Sequence, residues 1–159
     1  MTVGQKIFCD QMDSPIGVLT VLANEKGLTE IRFPNHKIPS ETENMRSNNF
    51  VAQAIDQLRS YFDGKLTVFD LSLCPSGTEF QKTVWTQLQT VGFGATASYG
   101  EVAAAIGKPK ASRAVGLANS KNPLPIVVPC HRIIGSNGAL TGFAGGLDTK
   151  RWLLAHENH

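Results

Sequence analysis

The sequence predicts an α/β (α+β) chain in two parts, an antiparallel three-stranded sheet with one helix followed by a mostly helical half. Three observations carry this. Short alternating apolar segments separated by turn residues fill residues 6–33, apolar spacing of three and four with capping signals dominates beyond Thr78, and Cys74-Pro75-Ser76-Gly77 breaks the pattern between them. The expected domains are therefore 1–75 and 76–159. At 159 residues and 42% hydrophobic, the chain is long enough for an ordinary core, and its 18% charged content argues against a solvating tail.

Lys6–Met12 and Val18–Ala23 read as strands flanking the turn Asp13-Ser14-Pro15-Ile16-Gly17. Asn24-Glu25-Lys26-Gly27 then leads to a third strand, Leu28–Phe33, which completes a meander. A polar stretch, Asn35–Asn49, gives way to Val51, Ala54, Ile55, Leu58, Tyr61 and Phe62, the apolar face of a helix ended by Gly64. Leu66–Leu73 reads as a further strand-like piece.

In the second half, Thr78 with Gln81 and Ser98 with Glu101 form capping boxes, each ahead of an apolar helical face. Gly107 and Pro109 stop the second of these helices. A third is expected to start at once at Lys110 and run through Arg113, Ala114, Val115 and Ala118, and the pair outlines a helix-turn-helix, for which an ordinary helical hairpin is the alternative. Asn122-Pro123-Leu124-Pro125 forces extended chain, Ile126-Val127-Val128 reads as a buried strand, and Pro129 fixes the backbone before Cys130-His131-Arg132. A reversal at Gly135-Ser136-Asn137-Gly138, bracketed by Arg132–Ile134 and Ala139–Thr141, and a last helix from Leu147 to about His156 complete the chain.

Charge is unevenly spread. Residues 1–80 carry seven basic and ten acidic side chains, whereas Lys108, Lys110, Arg113, Lys121, Arg132, Lys150 and Arg151 face only Asp148 over residues 104–154. That half could meet a polyanion or simply be a solvated basic face. No apolar run is long enough to span a membrane, and residues 1–6 lack the apolar core of a secretory signal. Three cysteines, an odd number, suit reduced thiols and a cytoplasmic setting. Cys9, His36 and Cys74 lack metal-ligand spacing, so neither a metal nor another cofactor is expected.

Cys130 is the candidate nucleophile. His131, Arg132 and Glu157 are the groups that could ionise or deprotonate it, and in an extended strand His131 would point away unless the backbone turned or a water bridged the two. A small core cysteine is the competing reading, as it is for Cys9 and Cys74.

Pro129-Cys130-His131-Arg132, with Asn122-Pro123-Leu124-Pro125-Ile126 before it and Gly145-Gly146-Leu147 and Trp152-Leu153-Leu154-Ala155-His156-Glu157 after it, closely resembles the O6-alkylguanine-DNA alkyltransferases. The resemblance covers residues 78–159; in the first half it rests on Asp13–Gly17 and the strands around it. It implies a ribonuclease H-like first domain and a winged helix-turn-helix in the second. The implied activity is irreversible, once-per-molecule transfer of a methyl or small alkyl group from O6-alkylguanine in double-stranded DNA, and from O4-methylthymine, to Cys130.

The same resemblance makes His131 a base acting through water, oriented by Glu157, and gives Tyr99 a hydrogen bond to the departing base. Arg113 would fill the gap left by the flipped nucleotide, with Ala111, Ala114 and Ala118 letting the helix lie close to DNA in the minor groove. Asn122 would tie that helix to the active-site turn. Carbonyls of Cys130 and Ile133 would read the guanine amine, with Pro125, Phe143 and Ala144 walling the pocket. Phe143-Ala144 departs from the tyrosine and small or polar residue of many relatives, and the zinc ligands of some eukaryotic relatives are missing. A monomer is expected, with cooperative binding on DNA left open. A repeatedly turning-over Cys-His hydrolase and a non-enzymatic DNA sensor are the rival readings.

Overall fold

The computed structural model describes residues 6–34, 46–140, 143 and 145–158. The chain divides into two compact units, Met1–Ser76 and Gly77–His159. His36, Thr141 and Ala144 lie outside the described residues.

In the first unit β1 (Phe8–Met12), β2 (Leu19–Ala23) and β3 (Leu28–Arg32) form an antiparallel sheet in chain order. Phe8 pairs with Ala23 and Met12 with Leu19, which sets the register of the first hairpin. Ser14 closes its turn, accepting at its carbonyl from the Gly17 N–H while its hydroxyl donates to the Gly17 carbonyl. Gly17 has φ 104, a conformation that favours a residue without Cβ. The second turn hangs on Asn24, whose Oδ1 accepts from the N–H groups of Lys26 and Gly27.

Helix α1 (Asn49–Phe62) covers the sheet with Val51, Ala54, Ile55, Leu58 and Tyr61, all buried. Asn48 caps it by accepting from the Val51 N–H, and a Schellman closure ends it, with Gly64 N–H on the Tyr61 carbonyl and Lys65 N–H on that of Ser60. Leu66–Leu73 is not the expected strand. Only Leu73 bridges Leu28, and the backbone of Asp70 is instead held from both sides by the Gln57 amide at 2.9 Å.

The second unit opens with α2 (Glu79–Leu88), α3 (Tyr99–Ala105) and α4 (Ser112–Ser120). Both capping boxes form, Thr78 with Gln81 and Ser98 with Glu101. Trp85 ties α2 to α4 by donating its indole N–H to the Ala118 carbonyl at 2.9 Å. Helix α4 starts two residues later than expected, because Pro109 sits inside a separate turn closed by Ala111 N–H on the Lys108 carbonyl. Residues 106–111 therefore link the two helices.

Ile126–Val128 is buried but is not a strand. Pro123, Pro125 and Pro129 supply no N–H, so a ladder cannot form, and the segment folds through turns with Val128 N–H on the Leu124 carbonyl. Ile126 takes φ 74, which a β-branched residue tolerates only where its surroundings enforce it. Cys130–Arg132 then forms one 3-10 turn. After it, β5 (Ile133–Ile134) pairs in parallel with β4 (Ala97–Ser98). The expected reversal forms at Gly135–Ala139, and α5 (Leu147–Glu157) follows Gly146.

Candidate active site

Every side chain of the 3-10 turn is buried: Cys130, His131 and Arg132 are 5%, 0% and 6% exposed. The turn lets neighbouring residues share one region, which an extended strand would forbid. His131 Nε2 lies 2.7 Å from Glu157 Oε2, contributed by the last residue of α5. Arg132 grips the same carboxylate with a two-point fork, Nε to Oε1 at 2.8 Å and Nη2 to Oε2 at 3.0 Å. Its Nη1 donates to the Val91 carbonyl at 2.7 Å, and its guanidinium carbon stands 5.9 Å from the centre of the Phe93 ring.

With Nε2 donating to Glu157, a neutral His131 carries its proton there and presents Nδ1 as an acceptor. Nδ1 is buried and has no hydrogen-bond partner among the described residues. Burial lowers the pKa of His131, and the cations Arg132 and Lys150 lower it further, against the opposing pull of Glu157. The ring is therefore a neutral base at pH 7.

Burial pushes the Cys130 thiol up to about 11, partly offset by a hydrogen bond from the Asn122 side chain, the charge of Lys150 and the nearby backbone N–H groups. The resting cysteine is a thiol, so it needs a base to react. Asn122 also fixes the approach to the turn. Its Nδ2 donates to the Val128 carbonyl at 2.8 Å and its Oδ1 accepts from the Leu124 N–H.

Of the residues expected to wall a pocket, Pro125 and Ile133 are buried and Phe143 is half-buried. The Cys130 carbonyl takes a long 3.4 Å hydrogen bond from Asn119 Nδ2, and the Ile133 carbonyl accepts from Lys150 Nζ at 2.7 Å. Tyr99 opens α3, half-buried, with its ring over Gly116 of α4. On α4, Arg113 and Ala114 are exposed and Ala111, the residue before the first turn, is half-buried. Ala118 departs from expectation: it is 2% exposed and packs inward with Val115 and Asn119, so it cannot belong to an outward face. Exposed Leu117 stands on that face instead.

Residues 79–159 match the family described as 6-O-methylguanine DNA methyltransferase, DNA binding domain, and residues 7–75 match its ribonuclease-like domain. The chain belongs to the 6-O-methylguanine DNA methyltransferase family. A methylated-DNA–protein-cysteine methyltransferase of Methanosarcina barkeri is 48% identical over 96% of this chain and 98% of its own. The crystal structure of a Mycobacterium tuberculosis O6-methylguanine methyltransferase superposes with a TM-score of 0.87 at 47% identity, covering 96% of this chain and 93% of that one. Mycobacterium tuberculosis OGT in complex with DNA superposes at 0.85 with 46% identity over 93% and 91% of the two chains.

Within this methyltransferase site the structure adds three residues to the expected set. Arg132 was legible only as a cation near Cys130, whereas its fork on Glu157 depends on folding residues 25 apart into contact. Lys150, fully buried, sits in a basic helical stretch that reads as solvated. Asn119 is marked only by lying one turn past Val115 on the inward face of α4. Among the described residues, no helix is long and apolar enough to cross a membrane.

Proposed function

We propose that this chain repairs DNA by moving a methyl or small alkyl group from O6 of guanine in a duplex to Cys130 Sγ, once per molecule. The observation that carries this is the buried Cys130 thiol beside a neutral His131 whose Nε2 is committed to Glu157, in the same unit as a helix-turn-helix. His131 Nδ1 takes the thiol proton through a bridging water. The sulfur electron pair then attacks the alkyl carbon in line, the carbon–O6 bond breaks, and its electron pair leaves on the guanine. Tyr99 donates a hydrogen bond to the departing base, and the proton lost by Cys130 ends on it. A thioether remains on Cys130, which accounts for a single turnover. On this reading the Cys130 and Ile133 carbonyls face the guanine amine, while Pro125 and Phe143 line the pocket. The protein acts as a monomer and also accepts O4-methylthymine.

Mass spectrometry after incubation with a methylated duplex tests the reading. A permanent methyl on Cys130 is expected; repeated release of product, or no modification, would overturn it.

The guanine O6 atom is stacked inside a duplex, so the nucleotide must turn out to reach a buried thiol. Exposed Arg113 on α4 fills the space it leaves, with Ala111 and Ala114 allowing close approach to the minor groove. Arg113→Ala should slow repair of duplex lesions by roughly ten- to a hundredfold, since unstacking costs a few kcal/mol. Reaction with free O6-benzylguanine, which needs no flipping, should be nearly unchanged. Equal losses on both substrates would refute the role.

The pH dependence follows from the two buried groups. With its pKa lowered below the ordinary 6.5, His131 stays an available base until the solution is more acidic than that value. Single-turnover rates should therefore be level from pH 7 to 9 and fall only below pH 6.5. A rate rising about tenfold per pH unit across that range would mean that spontaneous ionisation of the thiol, not His131, supplies the nucleophile.

A further inference from the structure

Glu157 is shared. Its Oε2 lies 2.7 Å from His131 Nε2 and 3.0 Å from Arg132 Nη2, while Arg132 Nε holds Oε1 at 2.8 Å. A carboxylate at the last residue of a helix, pinned only by a histidine, could rotate about its terminal torsion and lose its alignment. Arg132 removes that freedom by engaging both oxygens in the plane of the fork. The guanidinium is itself anchored, by the Val91 carbonyl at 2.7 Å and by the Phe93 ring on its face. The chain thus runs from Val91 and Phe93 through Arg132 to Glu157 and on to His131.

We propose that Arg132 is a positioning residue for the alkyl transfer, its fork on Glu157 holding His131 in the tautomer and orientation that turn Nδ1 toward the proton of Cys130. The inference rests on the reading of His131 as the base and deepens it. Among the described residues, Arg132 hydrogen-bonds the Glu157 carboxylate and the Val91 carbonyl. It acts through Glu157, as the outer partners of catalytic histidines commonly do. Among the described residues, the charged groups that act on His131 are Glu157 and Lys150 from α5 and Arg132 from its own turn. Removing the Arg132 cation takes away one of the two charges that oppose protonation of the ring, so the acid limb of the rate should move upward in pH.

The test compares the wild type with Arg132→Met and Arg132→Lys in single-turnover methylation by an O6-methylguanine duplex across pH, alongside imidazole ¹⁵N spectra of His131. Arg132→Met should transfer about ten- to a hundredfold more slowly. Its acid limb should lie at higher pH and its imidazole should show a mixture of tautomers. Arg132→Lys keeps the charge but not the fork, so it should restore most of the pH profile and only part of the rate. If Arg132→Met does not fold, Phe93→Leu, which loosens the guanidinium without altering charge, should give a smaller loss with the same tautomer mixing. A folded variant with the wild-type pH limb and wild-type tautomer would overturn the inference, whatever its rate. Failure of the wild type to methylate Cys130 would instead overturn the proposed alkyl transfer itself.

Discussion

Replacing Cys130 by serine is expected to abolish methyl transfer, with a loss of at least about a thousandfold, the scale on which removing a nucleophile acts. A hydroxyl is far harder to ionise than a thiol, and this site already burdens ionisation: burial holds even the thiol at about 11. The hydrogen bond from Asn122 and the charge of Lys150 stabilise an anion here, but they only partly offset burial for sulfur. Cys130 is 5% exposed, so no surface contact is lost and affinity for a duplex should stay within about twofold. Intact-mass measurement and fluorescence anisotropy read the two quantities separately. Full methylation of the serine variant would sink the assignment of Cys130 as acceptor.

The second large effect is on stability. Glu157→Leu should cost about 3–5 kcal/mol, because the Arg132 guanidinium would be left buried without its counter-ion. For a chain of this size that corresponds to a fall in melting temperature of roughly 10 °C. The loss should be partly recovered in the double variant Glu157→Leu, Arg132→Met, which replaces both charges by apolar groups but still leaves His131 Nε2 without its acceptor. Calorimetry of the three proteins decides it. A single variant within about 1 kcal/mol of the wild type, or a double variant no more stable than the single, would contradict a penalty from uncompensated buried charge.

Which features were legible follows from the reach of the forces involved. The capping boxes of Thr78 and Ser98 formed as read because a side chain and a backbone N–H three residues on need nothing else. The sheet was legible from its turns, since Ser14 and Asn24 close them locally. Ile126–Val128 misled because burial and strand pairing look alike in a short apolar run; the flanking prolines decided against a ladder. Leu66–Leu73 failed for a related reason, with the Gln57 amide taking the place of a neighbouring strand. Ala118 was misplaced because small residues on α4 are compatible with either face, and the inner one is marked by the burial of Val115, Ala118 and Asn119 in the folded chain. Cys130, His131 and Glu157 were reachable through the family's motifs. The burial of Lys150 against the Ile133 carbonyl requires the folded chain.

The enclosure of Cys130 also bears on how long the protein lasts unspent. A reagent consumed at its first reaction must wait, sometimes for the life of the molecule, among peroxides and stray electrophiles that attack thiolates. At 5% exposure, with its proton held far above neutral pH, the sulfur is both hard to reach and chemically quiet. In the proposed mechanism, reactivity arises only when an alkyl carbon is brought into the site and His131 takes the proton. Shelf life and specificity thus come from one arrangement, and a variant that opened the turn or ionised the sulfur at rest would trade durability for speed.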